Sequence, residues 1–372
     1  MRIGKYKVHK TGSELYRSYI PVKLPIQIQA DSRLMEKTSA ILSELGHLSV
    51  PSLDLFLYMY VRKEAVLSSQ IEGTQSSLND LILFENNQKP NTKISDAAEV
   101  SRYVEALNYG IERIKSGFPL CLRLLREIHA ILLHDTRGQE YLPGEFRVSQ
   151  NWIGGTRPGN AAFVPPEPQI LDDYLSNLES YINNDDIPVL LRAAVAHVQF
   201  ETIHPFLDGN GRIGRLLIIL ILFNYGMLKT PLLYISLYFK EHRFEYYKQL
   251  NDVREKGTWE NWINFFLNGV ISVSQQAISV IQNTTAFFEE CDEQISKIGR
   301  QRFSVEQLFE YMKRHPITFA PNAASDLNVS VPTARAALET LVQLKIITVT
   351  QLDRKQKVYT FQKYLNLLNE VE

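Results

Sequence analysis

Cysteine is almost missing from this sequence. Only Cys121 and Cys291 occur in 372 residues, far apart and both in stretches of helical spacing, so neither a disulfide framework nor a cysteine-based metal cluster is expected. An excess of either charge is missing too. Forty Lys and Arg stand against 41 Asp and Glu, which exerts no global pull toward nucleic acid or a charged membrane. The longest aliphatic run, residues 216–223, is far shorter than the ~20 residues a membrane-spanning helix needs. Residues 1–17 lack the apolar core of a signal peptide. No internal repeat or low-complexity tract is visible. These absences lead to the expectation of a soluble, cytoplasmic protein with no membrane partner, and 372 residues suffice for two or three domains with real cores.

What is present is concentrated in HPFLDGNGRIGR, His204 to Arg215. The preceding residues 188–203 carry apolar side chains at helical spacing, and residues 213–226 read as a buried helix stopping at Gly226. The motif is therefore a tight loop opening a helix, and a helix N-terminus attracts anions. Gly209 and Gly211 around Asn210 let successive backbone N–H groups converge into an anion nest. Asp208 offers one hard oxygen, enough for a Mg²⁺ that takes its other ligands from water and phosphate. Arg212 and Arg215, three apart, can aim both guanidiniums along one helix face. His204 leaves the first helix at the loop mouth, where an imidazole can take a proton from an incoming hydroxyl. Together these residues suit in-line attack on a nucleotide phosphate.

Three plainer readings compete. D-G-N-G by itself is a turn signal. Gly209, Gly211 and Gly214 also fit G-x-G-x-x-G, but that fingerprint needs a preceding strand, and the residues before it are helical in period. His197, Glu201 and His204 could be metal ligands at i, i+4 and i+7, although Pro205 and the nest point to another use of His204.

The twelve residues resemble, at every defined position, the signature of Fic-domain proteins, H-P-F-x-[DE]-G-N-G-R-x-x-R. The resemblance implies a mainly α-helical fold with a Fic-type core, transferring AMP from ATP to a Ser, Thr or Tyr hydroxyl of a protein. By family role His204 would be the base and Asp208 the Mg²⁺ ligand. Asn210 and Gly211 would form the anion hole, Arg212 and Arg215 would hold phosphates, and Gly209, Ile213 and Gly214 complete the ATP-binding stretch. Choline-phosphate transferases of the family share the signature. A second resemblance lies upstream. Ser68 to Gly73 matches the inhibitory pattern [ST]-x-x-x-E-[GN], with Glu72 expected in the last helical turn. It implies that Glu72 pairs bidentately with Arg215 and withholds it from the γ-phosphate, with Ser68 steering the Glu72 side chain.

The rest of the chain reads in order. Residues 1–30 look like an irregular arm, followed by helices over about 32–46 and 52–73, and a polar linker between Asn86 and Ser95. Helices follow at about 96–115 and 120–134. The long interval 142–168 resembles the family's target-docking flap, with a short hairpin over 146–155, Arg147 at its base and Asn151, Trp152, Ile153 and Gly154 as its edge. Tyr246 and Tyr247 could cover an adenine face or lie in the core, and a long helix reaches about Cys291. Residues 301–363 hold nine Lys and Arg against five Asp and Glu, and their three helices and two strands resemble a winged helix. DNA could be contacted through Ser330, Thr333, Arg335 and a wing at Arg354 to Lys357; protein docking fits slightly better, because the helix carries Glu339.

The expected division is 1–90 as a helical regulatory region, 91–291 as the catalytic domain and 292–372 as the winged helix, with a homodimer implied by resemblance. The expected activity is autoinhibited, Mg²⁺-ATP-dependent AMP transfer, self-modification included. A DNA-binding regulator that senses ATP, and an enzyme that removes AMP, are the alternatives.

Overall fold

The computed structural model describes residues 2–11, 14–48, 53–85, 90, 92–136, 139–299, 301–353 and 356–369. The chain opens with a hairpin, β1 (Lys5–Thr11) antiparallel to β2 (Glu14–Ile20), where an irregular arm is expected from the sequence. Its alternation is weak because Tyr6, Val8 and Leu15 stay exposed and only the second strand buries a large side chain, Tyr19. Tyr19 anchors the hairpin by donating its hydroxyl to the Arg254 carbonyl at 2.9 Å.

Helices follow. α1 (Ser32–His47) is capped by Asp31, whose carboxylate accepts from the Arg33 and Leu34 amides. α2 (Leu53–Ile71) ends one residue before Glu72. Glu72 is therefore not in the last helical turn as expected; it sits in the turn that Gly73 closes with φ +101. α3 (Leu78–Glu85) comes next, and residues 86–89 and 91 of the polar linker after it lie outside the described residues. α4 (Ile94–Lys115) and α5 (Leu122–Leu133) pack on each other. Among the described residues, the interval after α5 has short 3₁₀ turns and one isolated β-bridge before α6 (Leu171–Ile182).

The centre of the molecule is the pair α7 (Val189–Ile203) and α8 (Asn210–Asn224). Every residue from Arg192 to Ile203 and from Arg212 to Leu222 is buried, as expected for helices that are apolar on nearly all sides. Gly214 permits their contact, because a Cβ there would lie 2.3 Å from Glu201 Oε1 and 3.3 Å from Phe200 Cδ1. Around this pair stand α9 (Ser236–Glu241), α10 (Arg243–Lys256) and α11 (Trp259–Ser296). α11 extends beyond the expected end near Cys291. Its 38 residues make a rod of about 57 Å. At one end Trp262 donates its indole N–H to the Ala194 carbonyl on α7; at the other Phe288 packs on Phe309, Phe361 and Tyr364.

The C-terminal part runs α12 (Arg302–Arg314), β3 (Ile317–Thr318), α13 (Ala320–Asp326), α14 (Val331–Gln343), β4 (Thr348–Asp353), β5 (Gln356–Thr360) and α15 (Gln362–Asn369). The three strands form one antiparallel sheet in the order β3-β5-β4. The short β3 and the closing helix α15 have no counterpart in the sequence reading. Of the suggested wing, Arg354 and Lys355 lie outside the described residues.

Candidate active site

The loop between α7 and α8 is built by its own backbone. His204 ends α7 in the left-handed conformation, φ 50 and ψ 61, with its N–H on the Phe200 carbonyl at 2.8 Å. Pro205 then prevents the helix from continuing. Asn210 clamps the loop from inside: its Oδ1 accepts from Phe206 N–H at 2.9 Å and its Nδ2 donates to Phe206 C=O at 2.8 Å. The first α8 bond is Ile213 N–H to Gly209 C=O, so the amides of Asn210, Gly211 and Arg212 have no partner within the helix.

A cavity of about 560 Å³ opens over this helix end. Glu72, His204, Asp208 to Arg212, and the flap residues Asn151, Trp152, Ile153 and Gly154 border it. Several polar atoms at the site are buried without a hydrogen-bond partner: Arg212 Nε and Nη1, His204 Nδ1, Ser69 Oγ and Thr74 Oγ1. Unpaired buried donors are costly unless a ligand completes them. Asp208 is the more exposed group, its nearest cation Arg212 Nη2 at 3.4 Å. Burial, then Arg147 and Arg254, push the His204 imidazole down to about 3, so it is neutral at physiological pH and a weaker base than a solvent-exposed imidazole.

Arg215 lies beneath the cavity floor, its side chain 1% exposed. Nη2 reaches Glu72 Oε1 at 2.7 Å and the Ser68 carbonyl at 3.0 Å, while Nε donates to Ser68 Oγ at 2.8 Å. The pair is thus single-point where a bidentate one is expected: Glu72 shares Nη2 with the Ser68 carbonyl, and Ser68 Oγ takes Nε. Ser68 likewise holds the arginine, not the Glu72 side chain. Burial works to raise Glu72, but the charge and hydrogen bond of Arg215 outweigh it and hold the carboxyl below its usual range. The same carboxylate presses on the nest: a Cβ on Gly211 would lie 2.2 Å from Glu72 Oε1.

Residues 119–222 match the Fic/DOC family, and residues 33–112 match the Fic/DOC family N-terminal region. Residues 33–112 and 119–222 are thus Fic/DOC family regions. A protein adenylyltransferase Fic of Aedes aegypti is 36% identical over 140 residues, covering 37% of this chain and 25% of that protein. A probable protein adenylyltransferase of Aquifex aeolicus is 25% identical over 187 residues, covering 48% of this chain and 52% of its own. This chain thus spans between a quarter and about half of the length of these relatives. A Fic family protein from Desulfovibrio desulfuricans has a similar fold, with TM-score 0.60 at 20% identity over 91% of this chain and 98% of the other.

Within this Fic/DOC fold several expected site residues have other work. Arg147, expected at the base of the flap, lies there as a buried brace. It is 2% exposed and donates to the carbonyls of His204 at 2.8 Å, Pro166 at 2.6 Å, Ser149 at 3.1 Å and Ile203 at 3.3 Å. Burial lowers it to about 10, and it braces the flap against the loop mouth. The flap has no strand pair over 146–155; a single bridge joins Ile153 to Phe163, because Gly154 and Gly155 turn the chain at φ +69 and +72. Asn151 ties the flap to the loop through the Phe206 and Leu207 carbonyls. Ile213 and Gly214 pack in the core behind the cavity.

Tyr246 belongs to the core. It stacks on Phe239 at 4.5 Å and donates to His197 Nε2 at 2.8 Å. Its neighbour Tyr247 is 39% exposed and borders a separate groove on α10. His197 also donates from Nδ1 to the Gly214 carbonyl at 2.9 Å, so both of its nitrogens are used. Among the described residues no three of His, Cys, Asp and Glu gather as metal ligands, which removes the His197, Glu201, His204 reading. Sequence reasoning missed His129, a buried residue in the apolar run of α5, and Glu64, whose carboxylate accepts from Ser236 and Tyr103. A charged residue one helical turn before Ser68 was the available signal for Glu64.

Proposed function

We propose that this chain is an autoinhibited protein adenylyltransferase, which moves AMP from ATP to a Ser, Thr or Tyr hydroxyl of a protein, itself included, and releases pyrophosphate. One observation carries the reading. Glu72 Oε1 sits 2.7 Å from Arg215 Nη2 and also against the Gly211 backbone, so one carboxylate covers both the guanidinium and the nest that a triphosphate needs. The names of the curated relatives support AMP transfer as the reaction.

Asp208 suits magnesium: one half-exposed carboxylate at the cavity edge matches an ion that keeps its waters and takes phosphate oxygens. When bound, the ion neutralises phosphate charge. The protein supplies the other parts. The Asn210 to Arg212 amides and the Arg212 guanidinium, which Glu99 approaches to 3.9 Å without a hydrogen bond, hold the phosphates. The neutral His204 imidazole takes the proton of the target hydroxyl as that oxygen bonds to the α-phosphorus and the α–β anhydride bond breaks. Asn151 and Arg147 fix the flap so that a target segment can lie beside His204. Arg215 joins once Glu72 has moved away.

AMP removal is a second reading, favoured by Glu72 and His204 bordering the same cavity, where an acid can orient water. For residues 302–360 the order helix, strand, helix, helix, strand, strand supports a winged helix. Glu339 pairs with Lys357 at 2.9 Å and cancels a wing charge, which favours protein docking over DNA. Mass spectrometry of the Glu72→Gly protein after incubation with ATP and Mg²⁺ tests the main reading, with an adenylylated target added to wild type as the second arm. An increase of 329 Da is not required on wild type, but its absence from the variant refutes AMP transfer (the mass of one adenylyl group, about 329 Da, follows from the proposed covalent step).

A further inference from the structure

The structure assigns His129 as a positioning residue for the phosphate loop. Its side chain is wholly buried on α5, outside the signature. Gly144 N–H donates to Nδ1 at 2.8 Å, and an amide can only donate, so Nδ1 carries no proton. Nε2 therefore holds the hydrogen and donates it to the Asp208 carbonyl at 3.0 Å. The ring lies flat on Phe206, with centroids 3.7 Å apart and planes 7° from parallel. One imidazole thus joins the start of the flap at Gly144 to both halves of the loop, Phe206 and Asp208. Since Asp208 immediately precedes the nest glycines, its carbonyl sets where the carboxylate and the Gly211 amide point. This rests on the nucleotide-binding reading of the loop.

The test uses the Glu72→Gly background, with ATP affinity by calorimetry beside AMP-transfer kinetics. His129→Phe keeps the ring stack and loses both hydrogen bonds, so ATP affinity should fall about tenfold and kcat at least as much. His129→Gln, whose amide nitrogen reaches the Nε2 position, should recover most of the loss; His129→Asn, which reaches only toward Gly144, should not. If the Phe variant does not fold, the Gln and Asn pair still decides. ATP affinity unchanged in His129→Phe, or equal behaviour of Gln and Asn, overturns the assignment. A Glu72→Gly parent that binds ATP but transfers nothing sinks the adenylyltransferase reading instead.

We also infer that the C-terminal part clamps the inhibitory helix, an inference that rests on Glu72 being inhibitory. On one face of α2, Tyr60, Glu64 and Ser68 follow at four-residue spacing and bond inward, to Ala277, Ser236 and Arg215. On another face Lys63, 7% exposed, donates to the Leu368 carbonyl of α15 at 2.7 Å. Leu368 lies at the helix end, where carbonyls lack partners and a cation is favoured. Tyr58 meets His315 beyond α12, ring centroids 6.3 Å apart. α2 is therefore a stiff bar gripped by the C-terminal part and tipped by Glu72. Movement of α15 is carried along it to the Arg215 contact.

Lys63→Met keeps the apolar stem and deletes the donor. It should raise AMP transfer about fivefold or more over wild type and add nothing in the Glu72→Gly background. His315→Ala perturbs the second grip independently and should shift activity the same way. Both variants at wild-type rates, with Glu72→Gly activated, overturn the clamp. Absence of activation in Glu72→Gly itself overturns the inhibitory reading.

Discussion

Replacing Glu72 by glycine removes one carboxylate from a guanidinium that is otherwise still held by Ser68 Oγ at 2.8 Å and the Ser68 carbonyl at 3.0 Å. Arg215 should therefore keep its place and gain an open donor. A charge-assisted hydrogen bond contributes about 1.5–3 kcal/mol, which corresponds to about a 10- to 150-fold change in the open population. The Glu72 side chain is 40% exposed, so solvent screening moves the expectation to the lower end, about 10- to 30-fold. Glu72→Gln keeps shape and a neutral bond, and should give an intermediate rate. Initial rates of labelled AMP transfer onto the protein measure all three. Because Arg215 holds the Glu72 carboxyl below its usual range, the pairing persists at every pH above the unfolded value and is lost only as pH falls through the lowered one. The ratio of variant to wild type should thus stay flat from about pH 8 to 5.5. A glycine variant no faster than wild type, or a glutamine variant faster than the glycine one, refutes the reasoning.

Two further perturbations probe the helix pair beneath the site. Glu201 is buried with Oε1 unpartnered, and desolvation pushes it up to about 7. A raised acid binds more protons folded than unfolded, so its contribution to stability falls as pH rises from its unfolded value toward 7. Glu201→Gln should stabilise the protein at pH 8 by about 1–3 kcal/mol, with the difference vanishing below about pH 4.5. Equal melting-temperature differences at both ends would contradict this. Gly214→Ala would place a Cβ 2.3 Å from Glu201 Oε1 and should cost about 1–3 kcal/mol in denaturant unfolding. A neutral result would mean that α7 and α8 part more easily than their packing implies.

What could be read along the chain was local. Helix spans such as 189–203 and 210–224, the loop between them and the stop at Gly73 follow from period, capping and turn chemistry within a few residues. The cavity-lining positions His204, Asp208 and Gly209 to Arg212 sit within that one loop, so their grouping needed no tertiary information. The hairpin at 5–20 was missed because its pairing rests on backbone bonds and one buried tyrosine, not on an alternating apolar face.

Partner choice was decided elsewhere. Arg215 and Glu72 are 143 residues apart, and α2 brings Ser68 to the same guanidinium. Adjacent tyrosines part company, Tyr246 into the core and Tyr247 to the surface, because α10 turns one side to Phe239 and His197. Arg147, placed at the base of the flap, turns out to be a buried brace, while His129, which the sequence did not single out, joins flap to loop. Period and turn chemistry depend on neighbours in sequence, so the order of residues determines them. Which donor meets which acceptor depends on how whole helices pack, and that is settled only when the burial of every face is satisfied at once.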